Sequence, residues 1–251
     1  MISEVVIITN TNKKYDLCEL INYYNIIGFD KIVLCDSISK LDLNVFSKLY
    51  KNVEYFKNTH YNQVELFNYF YNHSTADWIY FADDDEYLWF DQAKYKNVND
   101  FIENKSKELN TNNFGIYWVK INNFNAIYKR DFNNPEESQV KLFKYINPFY
   151  EPESWIKGIY KTNQNLDFFY IHRCNPLNNY KTIDNKIYSN IRFNNYKYIN
   201  NDAIIFHYFF KTYEEFKNKY KNITYDQYIT LIYNQQYIKE TNKIYNILYD
   251  N

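Results

Sequence analysis

Apolar residues run without interruption at Val5-Val6-Ile7-Ile8, at Ile32-Val33-Leu34 and at Trp78-Ile79-Tyr80-Phe81-Ala82, each run bounded by polar residues. Short unbroken runs of this kind are the mark of strands buried on both faces. Between the first two, Leu17, Leu20, Ile21, Tyr24 and Ile27 recur at helical spacing, and Gly28 stands where a helix end takes a left-handed residue. The pattern predicts a further short helix around Leu41 to Tyr50, a strand near Val53 to Phe56 and a helix from Tyr61 to Tyr71. Strands alternating with helices at this spacing imply right-handed βαβ units and a mostly parallel sheet.

Beyond Glu86 the rhythm changes. Val98 to Leu109 reads as one helix. Strand-like segments follow at Gly115 to Ile121, Val140 to Tyr145, Trp155 to Tyr160, Phe168 to Ile171 and Ile204 to Phe210, with Asn-rich loops around residues 122–135 and 175–201. Thr212 and Glu215 have the spacing of a capping box, so residues 213–249 are expected to form a helical tail. No repeat and no linker interrupts the chain. The expectation is a single α/β domain, with a nucleotide-binding half over residues 1–90, a second half over 91–210 and the tail over 211–251.

Composition changes this picture little. Tyr 30 and Phe 20 against Gly 3 and Pro 4, with abundant asparagine and lysine, follow A/T-rich codons. That skew reads as genome bias, as in some bacteria, protists and large DNA viruses, rather than as an aromatic binding surface. A net charge of −1 provides no field for nucleic acid or an anionic membrane. Cys18, Cys35 and Cys174 are odd in number and widely spaced, which fits a reducing, cytoplasmic compartment rather than a disulfide framework or a zinc site. No apolar run approaches the roughly 20 residues of a membrane span, and the first strand begins almost at Met1, leaving no room for a signal peptide.

The chemistry concentrates at Asp83-Asp84-Asp85-Glu86, directly after the apolar run 78–82. A buried strand ending in acids delivers them at the C-terminal edge of a sheet, where α/β folds bind ligands. Asp83 and Asp85 are spaced to share a divalent cation whose remaining positions go to a diphosphate. An acidic turn closing an ordinary strand is the plain alternative. Asp36, just past the second strand, suits hydrogen bonds from a uracil N–H or ribose hydroxyls, and equally suits a turn ahead of the next helix. Thr9 and Asn10 end the first strand, where their backbone can edge a base. Gln63 opens a helix, pointing to a donor group or to water. His207, between Ile204-Ile205-Phe206 and Tyr208-Phe209-Phe210, reads on its own as a core histidine.

Several segments taken in order resemble the glycosyltransferase family 92 group and its family 2-like relatives. They are Asn12 through Glu19 to Gly28-Phe29-Asp30, Asp36-Ser37-Ile38-Ser39, Asn62-Gln63, and Asp77-Trp78 leading into Asp83-Asp84-Asp85-Glu86-Tyr87-Leu88. Lys157-Gly158-Ile159, Ile171-His172, His207-Tyr208 and Lys211-Thr212-Tyr213-Glu214-Glu215-Phe216 complete the set. The resemblance implies a GT-A fold, a Rossmann-like sandwich with a mostly parallel central sheet and a C-terminal helical tail. It implies metal-dependent, inverting transfer of a hexose from a nucleotide-sugar, a UDP-sugar, to a glycan, glycolipid or glycoprotein acceptor. Mn²⁺ or Mg²⁺ would be held by Asp85 with Asp83, and by His207 as third ligand, with His172 in reserve. Donor contacts fall to Thr9, Asn10, Asp36, Gln63, Asp83 and Asp84, with Lys211 toward the diphosphate. The general base would come from the second half, where Asp131, Glu136, Glu137, Glu151, Glu153 and Asp167 are eligible and Glu153, just before the Trp155 strand, is the choice. Two positions depart from the family pattern: Lys13 replaces a Glu, and Asn122-Asn123-Phe124-Asn125 replaces a glycine-containing segment. They motivate an alternative, a non-catalytic transferase-like module that binds glycans or serves as structure. A retaining transferase is the rival on mechanism.

Overall fold

The structure is a computed structural model describing residues 1–10, 13–37, 39–146, 156–170, 173–175, 181–185, 202–233 and 239–250. Strand β1 (Ser3–Thr9), helix α1 (Lys14–Ile26), β2 (Lys31–Asp36), α2 (Val45–Leu49), β3 (Val53–Lys57), α3 (Gln63–His73) and β4 (Trp78–Asp83) alternate as the apolar pattern requires. Next come β5 (Glu86–Phe90), α4 (Val98–Leu109), β6 (Asn113–Asn122), α5 (Gln139–Leu142), β7 (Tyr145–Ile146) and β8 (Ile156–Lys161). The remainder comprises β9 (Asp167–Tyr170), β10 (Arg173–Asn175), β11 (Lys181–Thr182), β12 (Ala203–Phe210), α6 (Tyr213–Lys219), α7 (Tyr225–Tyr233), β13 (Lys239–Glu240) and α8 (Lys243–Tyr249).

The main sheet has the order β13-β7-β6-β8-β4-β1-β2-β3. From β4 to β3 every pairing is parallel, the Rossmann-like half of the fold. Beyond β4 the sheet is mixed, because β8 runs antiparallel to both β4 and β6. Strand β12 then pairs parallel with β6 and antiparallel with β5. This last pairing brings residues from the end of the chain to the acids: His207 lies in register with Glu86, and the Tyr208 amide donates to the Asp85 carbonyl at 2.9 Å.

Val5, Val6, Ile7, Ile79 and Tyr80 are fully buried, which explains why these strands carry no polar alternation. The aromatic abundance is spent in this core. Phe67 of α3 stacks on Phe81 of β4 at 4.1 Å. Tyr23 and Tyr24 of α1 are wholly buried, and their hydroxyls donate to the Leu88 and Glu86 carbonyls at 2.7 and 2.8 Å. A buried phenol needs such a partner, and here the partners pin β5 beside the acids. Gly28 ends α1 at φ 94°, as its spacing predicts. Among the described residues no helix is long and apolar enough to cross a membrane.

Three expectations change. The acids end β4 as expected, with Asp83 its last residue, but no loop follows: Asp84 and Asp85 form the turn and Glu86 opens β5. Residues 140–145 are not one strand. Gln139 to Leu142 form a helical turn whose first amide donates to Asp16 at 3.0 Å, and only Tyr145 and Ile146 pair with β6. The tail is not continuous. The Thr212–Glu215 capping box opens α6 as expected, but a second box, with the Gln227 amide on the Thr224 hydroxyl and the Thr224 amide on the Gln227 side chain, starts α7 afresh.

Candidate active site

A cleft of about 840 Å³ opens where β1 and β4 end. Its floor is the acid cluster with His207 and Lys211. Thr9, Asn10, Ser37 and Gln63 wall one side; Trp118, Phe209 and Lys219 wall the other. Each acid on the floor is matched to its own partners.

Asp83 accepts from Gln63 Nε2 at 2.9 Å through one oxygen and from Lys157 Nζ at 3.1 Å through the other. The Asn62–Glu65 capping box fixes the start of α3, so Gln63 leaves the helix pointed at the strand end. Lys157, 1% exposed on β8, also reaches Glu86 at 3.0 Å. Burial alone would lower the Lys157 pKa, but Asp83 and then Glu86 outweigh it and raise it above the ordinary lysine value. Asp84 accepts from the Thr9 hydroxyl at 2.7 Å; burial, with Asp85 beside it, raises its pKa.

Asp85 faces two groups at once. One oxygen lies 3.3 Å from His207 Nε2 and the other 3.0 Å from Lys211 Nζ. Burial works to raise the Asp85 pKa, yet Lys211 and His207 together hold it well below the usual carboxylate range. Burial lowers His207 below the ordinary imidazole value despite Asp85. Trp118 stacks on the His207 ring at 4.3 Å and 19°, fixing its plane. Among the described residues, His207 Nδ1 is buried with no hydrogen-bond partner.

The donor set fits a divalent cation in part. A neutral imidazole nitrogen and a carboxylate oxygen face each other, and Mn²⁺ or Mg²⁺ takes few protein ligands when phosphates and water complete its shell. Both Asp83 oxygens are engaged elsewhere, and among the described residues no group of three such ligands converges. The nearest imidazole–carboxylate pair is Asp85 with His207, where Lys211 also occupies the second Asp85 oxygen.

Other predicted residues fall differently. Asp36 is fully buried and turned away from the cleft, accepting from Lys57 at 2.8 Å, the Tyr55 hydroxyl at 3.0 Å and the Ser39 amide at 2.8 Å. Its turn-forming role is the one realised, and Ser37 lines the cleft in its place. Thr9 engages the site through its hydroxyl. Lys211 is directed at Asp85, 3.0 Å away. Glu153 and His172 lie outside the described residues. Of the other base candidates, Glu136 pairs with Lys141 at 2.6 Å and Glu137 accepts from the Asp131 amide at 2.6 Å.

The pattern alone did not reveal a second network, which runs from Lys13 and Glu215 at the cleft wall to the buried Arg130 and Asp16. Arg130 is buried and forks onto Asp16 at 2.8 and 2.5 Å, and onto Glu215 at 3.0 and 2.8 Å. Glu215 also takes Lys13 at 2.5 Å. Burial would raise the Glu215 pKa, but Lys13 and then Arg130 drive it far below the usual range. A signal existed: Arg130 is one of only three arginines in a lysine-rich chain, and a planar fork is what two buried carboxylates require.

No protein-family description and no curated protein sequence matches the chain. Among solved structures, the 1–349 fragment of TarS from S. aureus aligns at a TM-score of 0.40 and 17% identity, over 64% of this chain and 47% of that one. The same fragment in complex with UDP-GlcNAc gives 0.42 and 16%, over 64% and 45%. HddC from Yersinia pseudotuberculosis gives 0.35 and 14%, over 64% and 74%. The chain spans less than half the length of the TarS fragment.

Proposed function

We propose that the chain is a glycosyltransferase that moves a hexose from a UDP-sugar to a glycan or glycoconjugate acceptor. The observation carrying this reading is the acid cluster at the C-terminal edge of the parallel β4-β1-β2-β3 strands, flooring an open cleft with Asp85 and His207 facing each other. Ligands bind at such edges. In this reading the nucleoside lies against Thr9, Asn10 and Ser37, and the Gln63–Asp83 pair meets the ribose. Asp85 and His207 would hold Mn²⁺ or Mg²⁺, which supplies Lewis-acid neutralisation of the leaving diphosphate. Lys211 places a further positive charge beside Asp85, next to the same leaving group. The acceptor hydroxyl oxygen attacks the anomeric carbon and gives its proton to a base. The bond from that carbon to the diphosphate breaks, and its electron pair leaves with the diphosphate. Inversion follows from attack opposite the leaving group, and NMR of the product's anomeric configuration tests it.

The deciding experiment is thermal unfolding with UDP, GDP, CMP and their common sugars, UDP-GlcNAc included, with and without Mn²⁺. A ligand at a hundredfold its Kd adds about 2.7 kcal/mol, a rise of roughly 5–10 °C for a chain of this size. A Mn²⁺-dependent rise with UDP and its sugars supports the reading. The lysines on Asp83 and Asp85 favour one other reading, a binding module whose acids are neutralised from within. It predicts that no nucleotide raises the midpoint.

A further inference from the structure

The side of the cleft away from β1 and α3 has its own chemistry. Trp118 of β6 is half-buried, its ring set against His207. Phe209 follows His207 by two residues on β12, where the pairing with β6 is irregular, and their rings meet edge to face at 5.4 Å. Lys219, exposed on α6, holds its ammonium 5.2 Å from the centre of the Phe209 ring.

Charge separates this wall from the opposite one. Three lysines line the cleft. Lys13 is committed to Glu215 and Lys211 to Asp85. Lys219 pairs with no carboxylate among the described residues; its contact is the face of Phe209, a weak hold for an exposed cation. The wall thus brings to the cleft the half-buried edge of Trp118, the Phe209 ring with Lys120 at 4.4 Å as well as Lys219 against it, and the Asn218 side chain. Aromatic faces take the C–H side of a sugar ring, and an uncancelled ammonium takes an anionic oxygen.

We propose that Trp118, Phe209 and Lys219 form the acceptor subsite, and that the acceptor is a sugar carrying an anionic group, a phosphate or a carboxylate. The inference rests on the transferase reading, which puts the donor nucleoside on the Thr9–Gln63 side and leaves this wall for the acceptor. Trp118 and Phe209 both contact His207, which itself meets Asp85, so this wall borders the floor where the sugar would be transferred.

The test is calorimetric titration of the whole chain with glucose 6-phosphate, glucose and inorganic phosphate, in saturating UDP and Mn²⁺ so that the donor side is filled. Glucose 6-phosphate is expected to bind at least tenfold more tightly than either probe. Lys219→Met should erase its advantage over glucose, and Trp118→Leu should weaken both sugars together. UDP affinity should be the same in Lys219→Met as in the parent. Equal binding of the two sugars overturns the proposal. So does phosphate binding as tightly as the sugar phosphate, which would mark a bare anion site. A loss of UDP affinity in Lys219→Met also overturns it, because the cation would then serve the donor's diphosphate. Failure of the parent chain to bind UDP at all sinks the transferase reading itself. UDP binding without discrimination between the sugars sinks only the acceptor subsite.

Discussion

Replacing Glu19 with glutamine should stabilise the protein at alkaline pH and leave it nearly unchanged in acid. Glu19 lies on α1, 8% exposed, where one oxygen accepts from the Ser138 hydroxyl at 2.7 Å and from the Tyr249 hydroxyl of α8. The other oxygen is buried without a partner among the described residues. Desolvation dominates over the two hydrogen bonds and pushes the carboxyl from 4.5 up to about 7. The folded protein therefore holds this proton more tightly than the unfolded chain does. The stability this contributes is complete below pH 4.5, is lost as pH rises toward 7, and stays lost above. The gap between 4.5 and about 7, at 1.36 kcal/mol per pH unit, amounts to about 3 kcal/mol. Glutamine keeps an acceptor for Ser138 and Tyr249 and carries no charge to desolvate. Urea unfolding at pH 4.5 and pH 8 measures the difference. Glu19→Gln should match the parent within about 1 kcal/mol in acid and exceed it by about 3 kcal/mol at pH 8, or roughly 6–12 °C in midpoint. A difference between the two proteins that does not vary with pH refutes the argument.

Further outcomes follow from the cleft and the network that runs from its wall. His207→Ala should weaken Mn²⁺ binding, read by titration calorimetry, while UDP binding without metal stays as it was; unaltered Mn²⁺ affinity would remove His207 from the ligand set. Lys157→Met strips a buried cation from Asp83 and Glu86 and should cost about 3–5 kcal/mol in urea unfolding; a cost below about 1 kcal/mol would mean the pair is solvated. Lys211→Met removes the ammonium competing for Asp85, so Mn²⁺ alone should bind about tenfold more tightly while UDP with Mn²⁺ binds more weakly. Movement of both affinities in the same direction contradicts that competition. Arg130→Lys cannot fork onto Asp16 and Glu215 together and should lower the midpoint by several degrees, an effect that a surface arginine would not show.

What could be read from the chain was whatever depends on near neighbours. The strands at β1, β2 and β4, the α1 terminus at Gly28 and the Thr212–Glu215 cap are all local signals, and all are present. The α7 start is equally local, since Thr224 and Gln227 repeat the same spacing and break the tail into two helices there. Other features depend on distant partners. Asp36 had two local readings, and the choice between them was made by Tyr55 and Lys57 on the next strand. Glu86 is placed by distant parts of the chain: it opens β5 in register with His207 of β12 and meets Lys157 of β8 at 3.0 Å, while burial still raises its carboxyl to about 8. Residues 140–145 have apolar spacing that fits one helical turn as well as a short strand, and an amide bond to Asp16 decides for the turn.

The cations of the cleft explain how so many acids can stand together in a buried place. Lys157 comes from β8, Lys211 follows β12, Lys13 precedes α1 and Arg130 follows β6, so no stretch of chain neutralises its own charges. Asp83, Asp84, Asp85 and Glu86 would repel one another in any partly folded state that lacked β8 and β12. Pairing of β12 with β5 brings Lys211 and His207 to Asp85, and the same step closes the core over Tyr87 and Tyr208, whose rings meet at 5.2 Å. Closing the core and assembling the cleft therefore rest on the same strand pairing. A substitution on the cleft floor is then expected to affect stability and ligand binding together, whereas one on the Lys219 wall, which neutralises none of these acids by direct contact, can alter binding alone.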